Sequence, residues 1–143
     1  MTQPPPDHKH IPGVNARHPE DAFDWIRAQA APEADNPAWL YGLRLLREGF
    51  YWEAHEVLEP VWMAAAPNSA EKAMAQAVIQ LANAALKLDM GKPKAAVRLA
   101  AMVEDLAGLA RQGGAVVLGV EAEAVVRAAK VVGQGNSPLD LDL

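Results

Sequence analysis

The chain has 143 residues, 51% of them apolar and 22% charged, with a formal net charge of −5. This fits one globular domain and excludes a wholly disordered chain. The acidic balance argues against nucleic acid as a partner, because phosphate contacts need a basic surface. There is no cysteine, which excludes disulfides, zinc–thiolate sites and thiol nucleophiles and suits a cytoplasmic protein.

The first residues, MTQPPPDHKH, lack an apolar signal core. No apolar run of about eighteen residues occurs, so no membrane contact is expected. Residues 1–18 hold Pro4, Pro5, Pro6, Pro12 and Gly13 and read as an extended tail across the domain. His8, His10 and His18 lie in or beside it. They read as solvated histidines, with a metal-binding tail as the alternative.

A single helical domain is expected over 19–132, followed by a flexible tail over 133–143. Its first helix starts near Pro19, buries Phe23, Trp25 and Ile26, and ends before Pro32. Asn36 is the N-cap of the next, with Pro37 at its first position. Trp39, Leu40, Leu43 and Leu46 then recur at a helical period until Gly49. A further helix runs to about Ala65. Pro67-Asn68 breaks it, and Ser69 caps a helix running to about Asp89. Gly91 and Pro93 make the next turn. A helix over 93–111 carries Val97, Leu99, Met102, Val103, Leu106 and Leu109 mostly on one side and stops at Gly113-Gly114. Ala115–Leu118 reads as either strand or loop, with no evident partner strand. Glu121–Val132 forms the last helix.

The result is an all-α compact bundle of about five helices in antiparallel hairpins. A weak repeat supports it: Gly49 and Gly91 occupy equivalent turns, with Ala54 and Ala96 five residues after each. Gly42, Gly49, Tyr51, Ala54 and Leu58 fall where a tetratricopeptide unit keeps small or apolar residues.

The chemistry concentrates in GFYWEAHEVLEPVW, residues 49–62. At 100° per residue, His55 stands at the edge of the core stripe, with Glu59 one turn on and Glu56 beside it. Glu53 and Val57 point away, toward solvent or a second chain, which makes a homodimer one candidate assembly. Pro60 is expected to kink or restart the helix. On the following helix Gln76, Gln80, Asn83 and Lys87 form a polar row facing the His55–Glu59 side.

Three readings compete. His55 and Glu59, with Glu56 as further ligand or base, resemble H-E-x-x-H with a carboxylate in place of the second histidine. That would suit a divalent iron, manganese or zinc ion. A carboxylate tuning the His55 imidazole would serve proton transfer. Alternatively, His55, Glu56, Glu59, Gln80 and Lys87 close a hydrogen-bonded network that sets helix register. Trp39, Trp52 and Trp62 read as core residues, with Trp52 and Trp62 as the alternative lining of a small-ligand pocket. The only hydroxyl side chains besides tyrosine are Thr2, Ser69 and Ser137, at ends or turns, which disfavours covalent hydroxyl catalysis.

The segment from Leu43 to Leu109 resembles the family catalogued as domain of unknown function 309. That family shows a glycine, aromatics, E-x-H-E-x-L-E-x-x-W and a glutamine-bearing helix. The matching residues are Gly49, Phe50, Tyr51, Glu53, His55, Glu56, Leu58, Glu59 and Trp62, then Gln76 and Gln80, with Lys87 and Gly91 at the next turn. The resemblance implies a bacterial or archaeal source and about five helices of tetratricopeptide-like arrangement over a core of 38–111. It implies no established activity. A small ligand or metal ion on the polar cluster is therefore the leading expectation, and a non-enzymatic interaction or dimerisation module the alternative.

Overall fold

A computed structural model describes residues 5–138. Within them the chain forms six helices: α1 Asp24–Arg27, α2 Pro37–Arg47, α3 Tyr51–Ala64, α4 Ala70–Asp89, α5 Pro93–Ala110 and α6 Ala122–Gly133. A 3-10 turn, Arg111–Gly113, and a two-stranded ribbon, β1 Val116–Val117 and β2 Val120–Glu121, join α5 to α6. The architecture is an all-α bundle in which α2 to α6 each pack against the next, and α4 also touches α6. No helix among the described residues is long and apolar enough to cross a membrane.

Local chemistry sets the ends of the helices. The Asn36 side chain accepts the Trp39 amide at 3.0 Å, and Pro37 follows in the first turn, where no amide hydrogen is needed. The Ser69 hydroxyl accepts the Lys72 amide at 3.1 Å. Gly49, Gly91 and Gly135 all have positive φ, and after each the chain donates back five residues. The donors are Phe50 N to Leu45 O, Lys92 N to Lys87 O and Asn136 N to Val131 O, at 2.8, 2.8 and 3.1 Å. Glycine tolerates this left-handed closure, which satisfies a carbonyl left open at a helix end.

Several elements depart from the sequence reading. The first helix is one short turn: Phe23 and Ile26 are buried, but Trp25 is 42% exposed. Around it the bonds run three residues back, as from Ala22 to Pro19 and Asp24 to Asp21, because so short a segment lacks the packing that would extend an α-helix. Helix α3 runs through Pro60 without a restart. In α5 the buried residues are Ala96, Ala100, Val103, Ala107 and Ala110, while Val97, Met102 and Leu109 are exposed. Four alanines and Val103, spaced four, three, four and three apart, let α4 and α6 approach closely, so the larger side chains ride outside. The strand partner missed in the sequence is the next segment: Val116 pairs with Glu121 and Val117 with Val120. Leu118 and Gly119, both at positive φ, form the tight turn. The Leu118 carbonyl accepts the Trp39 indole N–H at 2.8 Å, tying the ribbon to α2.

The ends of the described chain are docked. The Ser137 hydroxyl meets the Tyr51 hydroxyl at 2.7 Å, and Pro138 is buried. The Tyr51 pKa is raised, chiefly by burial; the Ser137 bond acts to lower it and Asp89 to raise it. The outer parts of both expected tails, 1–4 and 139–143, lie outside the described residues.

Helices α2 and α3 pack tightly at Gly42, where a Cβ would stand 2.3 Å from a methyl carbon of the fully buried Leu58. Gly42→Ala is therefore expected to destabilise the fold by about 1–3 kcal/mol, read as a lower urea midpoint at unchanged slope. An unaltered midpoint would mean that the two helices can part freely.

Candidate functional site

Helices α3 and α4 enclose a pocket of about 190 Å³ lined by His55, Glu59, Trp62, Gln76, Ile79, Gln80 and Asn83. His55, Glu59 and Trp62 recur one turn apart along α3, and Gln76, Gln80 and Asn83 do the same along α4. The helical period thus gathers both rows at one interface. His55 Nε2 lies 3.1 Å from Glu59 Oε2, and the two side chains are 31% and 41% exposed. Asn83 donates to Gln80 Oε1 at 3.2 Å. No hydrogen bond joins the two rows directly among the described residues, and both rows line the pocket.

Trp62 stands between this pocket and a larger one of about 410 Å³ beside it, which Gln76 and Lys72 also line. The Lys72 ammonium lies 4.4 Å from the Trp62 ring centroid and donates to the Trp62 carbonyl at 3.0 Å. The Trp62 indole N–H is buried and has no acceptor among the described residues.

Three expected members are elsewhere. Glu56 and Lys87 are half-buried but do not line the pocket, and Trp52 faces the N-terminal segment. The proposed ion site is left with one imidazole and one carboxylate. Among the described residues no group of three or more His, Asp or Glu side chains is gathered that could hold a metal ion.

The main correction concerns the opposite side of α3. Glu53 and Val57 do not face solvent or a second chain: both are fully buried. Residues 7–18 fold over Glu53 and its neighbour Trp52. Glu53 Oε2 accepts from His18 Nε2 at 2.6 Å and from the His10 amide at 2.7 Å. Glu53 Oε1 is buried without a partner among the described residues. His10 packs edge-on to Trp52 at 4.9 Å, and His8 stacks on His18 at 4.3 Å. The cations of Arg17 and Lys9 stand over the Trp52 and Phe50 rings at 5.5 and 5.3 Å.

Asn15 holds the turn of this segment, its side chain accepting from the Ile11 amide and donating to the Lys9 carbonyl. His10 and His18 are therefore held groups rather than solvated ones. The signal for this lay in the residues beside Glu53: Tyr51, Ala54, Val57 and Leu58 leave α3 no fully polar face. The Tyr41 phenol is raised above its ordinary pKa by burial, is lowered by Arg44, and is raised further by Glu48 and Glu53.

The model of the family described as Domain of unknown function (DUF309) matches residues 39–99. This span begins four residues before the stretch noted above and stops ten residues short of its end. It contains every motif residue that carried the resemblance. A search of curated proteins finds no match, and neither does a search of solved structures.

The two polar centres are expected to respond differently to mutation. His55→Ala removes half of an exposed pair on one helix and should change stability by less than about 0.5 kcal/mol. Glu53→Ala leaves a buried imidazole and amide unsatisfied and should cost about 3 kcal/mol or more. Chemical denaturation of both variants checks the contrast, and equal losses would contradict the burial assigned to Glu53.

Proposed function

We propose that the α3–α4 pocket binds a small polar molecule carrying both hydrogen-bond donors and acceptors. The observation that carries this is the convergence of an imidazole–carboxylate pair with three carboxamides, Gln76, Gln80 and Asn83, around one open space. Each carboxamide offers a donor and an acceptor, and the His55–Glu59 pair adds one of each. Half-exposed groups of this kind contribute little to folding, so a recognition role accounts for their grouping better than a stabilising one. At about 30 Å³ per water, the space is worth about six waters. That suits an amide, a urea or the edge of a small heterocycle against Trp62. A divalent ion is the weaker occupant, since only His55 and Glu59 would serve as strong ligands. A cytosolic setting belongs to the same proposal and rests on the absence of cysteine.

The test is a titration with acetamide, nicotinamide and cytosine, followed on the side-chain amide signals of Gln76, Gln80 and Asn83 and on the Trp62 indole. At least one probe is expected to shift these signals saturably. Gln80→Ala should weaken it about fivefold or more, the worth of one hydrogen bond. Silence from all three probes, or an affinity indifferent to Gln80→Ala, would sink the reading.

A second reading has support from α5, whose Val97, Met102 and Leu109 are large, apolar and exposed. In it the α2–α3 and α4–α5 pairs act as tetratricopeptide-like hairpins that present a surface to a protein partner or a second copy. The matching glycine turns at Gly49 and Gly91 support the comparison. Sedimentation equilibrium is expected to show a dimer that Met102→Glu dissociates; a monomeric wild type removes self-association from this reading.

A further inference from the structure

The four tryptophans meet four different fates. Trp39 is fully buried, with its indole N–H bonded to Leu118. Trp52 and Trp62 are partly buried, and each has a cation of the chain over its ring: Arg17 in one case and Lys72 in the other. Phe50 is capped in the same way by Lys9. Trp25 is 42% exposed, and no cation stands over it among the described residues. Its ring meets Tyr41 edge-on at 5.4 Å.

Trp25 and Tyr41 line a pocket of about 410 Å³ with Phe23, His18, Asp7 and a wall of prolines, Pro5, Pro6 and Pro19. The pocket is separate from the α3–α4 pocket and shares none of its lining residues. Phe23 stands edge-on to His18 at 5.4 Å. Asp7 is exposed and is the one carboxylate among the lining residues. Behind His18 lies the fully buried Glu53, with one oxygen committed to His18 and the His10 amide and the other without a partner among the described residues. The two nearest cations of the segment, Lys9 and Arg17, are engaged over Phe50 and Trp52. Arg44, which also acts on Tyr41, is paired with Glu48 at 2.6 Å.

We propose that this aromatic pocket is a binding site for a small organic cation, an alkylated ammonium group seated against Trp25 and Tyr41 and balanced by Asp7. The faces of aromatic rings attract cations through their quadrupole, most strongly for tryptophan. Alkylated ammonium fits better than a bare ammonium, because its methyl groups match the proline and phenylalanine walls and it gives up little hydration on entering. The Asp7 carboxylate supplies a negative potential that a neutral ligand would not use. The site stands independently of the function proposed above, since no residue is common to both pockets.

The experiment titrates the full chain with tetramethylammonium chloride and, in parallel, with tert-butanol, a neutral molecule of similar shape. Both are followed on the Trp25 indole signal. Tetramethylammonium is expected to give a saturable shift, tert-butanol none. Trp25→Ala should weaken the cation at least about fivefold and Trp25→Phe less, following the order of ring strength. Asp7→Asn should weaken it about twofold to threefold, as expected for an exposed charge. Trp25 is an exposed side chain on a one-turn helix, so an unchanged circular dichroism melt is expected and would show that the variant folds. A peptide bearing trimethyl-lysine distinguishes the source: tenfold tighter binding than tetramethylammonium assigns the cation to a peptide side chain, and equal binding to a free amine. An equal response to tert-butanol, the absence of saturation by tetramethylammonium, or undiminished binding by folded Trp25→Ala would each overturn the site.

Discussion

Glu53 carries a carboxylate into the middle of the fold, where an isolated charge would be costly. The chain meets that cost by bringing its own N-terminal segment to it, with the His18 imidazole on one side and the His10 amide beside it. Around this contact the rest of the segment finds its place. His10 and Arg17 cover Trp52, Lys9 covers Phe50, and Asn15 closes the turn between them. The outcome is that α3 is covered by α2 and α4 and, over Glu53 and Trp52, by residues 7–18. A helix buried in this way has only its intermediate strip left for solvent-facing chemistry, and His55 and Glu59 occupy that strip.

The two centres along α3 illustrate how one helix can carry charge in two ways. Glu53 is wholly desolvated, and its Oε2 is held by two fixed partners, the His18 ring and the His10 amide. His55 and Glu59 keep contact with water, face a row of amides on α4, and need no partner for the fold to stand. The first arrangement serves structure directly. The second leaves polar groups at the edge of an open pocket.

Alanine shapes the remainder. Helix α4 buries Ala75, Ala77, Ala82, Ala84 and Ala85, and α5 answers with Ala96, Ala100, Ala107 and Ala110. Small side chains let these helices lie close. The close approach leaves little room for the larger residues of α5, which is why Val97, Met102 and Leu109 are displaced outward. The same economy appears at Gly42 against Leu58. Close-packed interiors leave few voids, so the pockets lie along helix edges, where Trp62 and Trp25 interrupt the packing.

Much of this was written in local sequence. Asn36-Pro37, Ser69, Gly49 and Gly91 mark helix ends because capping and left-handed turns depend only on a few neighbouring residues. The pairing of His55 and Glu59, and the row Gln76, Gln80, Asn83, follow from helical periodicity alone. What residue spacing does not carry is which face of a helix a distant segment will cover. Glu53 looks like a solvent-facing residue until residues 7–18 arrive. Val97 and Met102 look like core until alanines bring α4 and α6 too near to admit them, and the valines of β1 lack a partner until Leu118 and Gly119 turn the chain back. Those decisions belong to tertiary structure, because burial is set by the neighbours that a surface meets and not by the order in which its residues are joined.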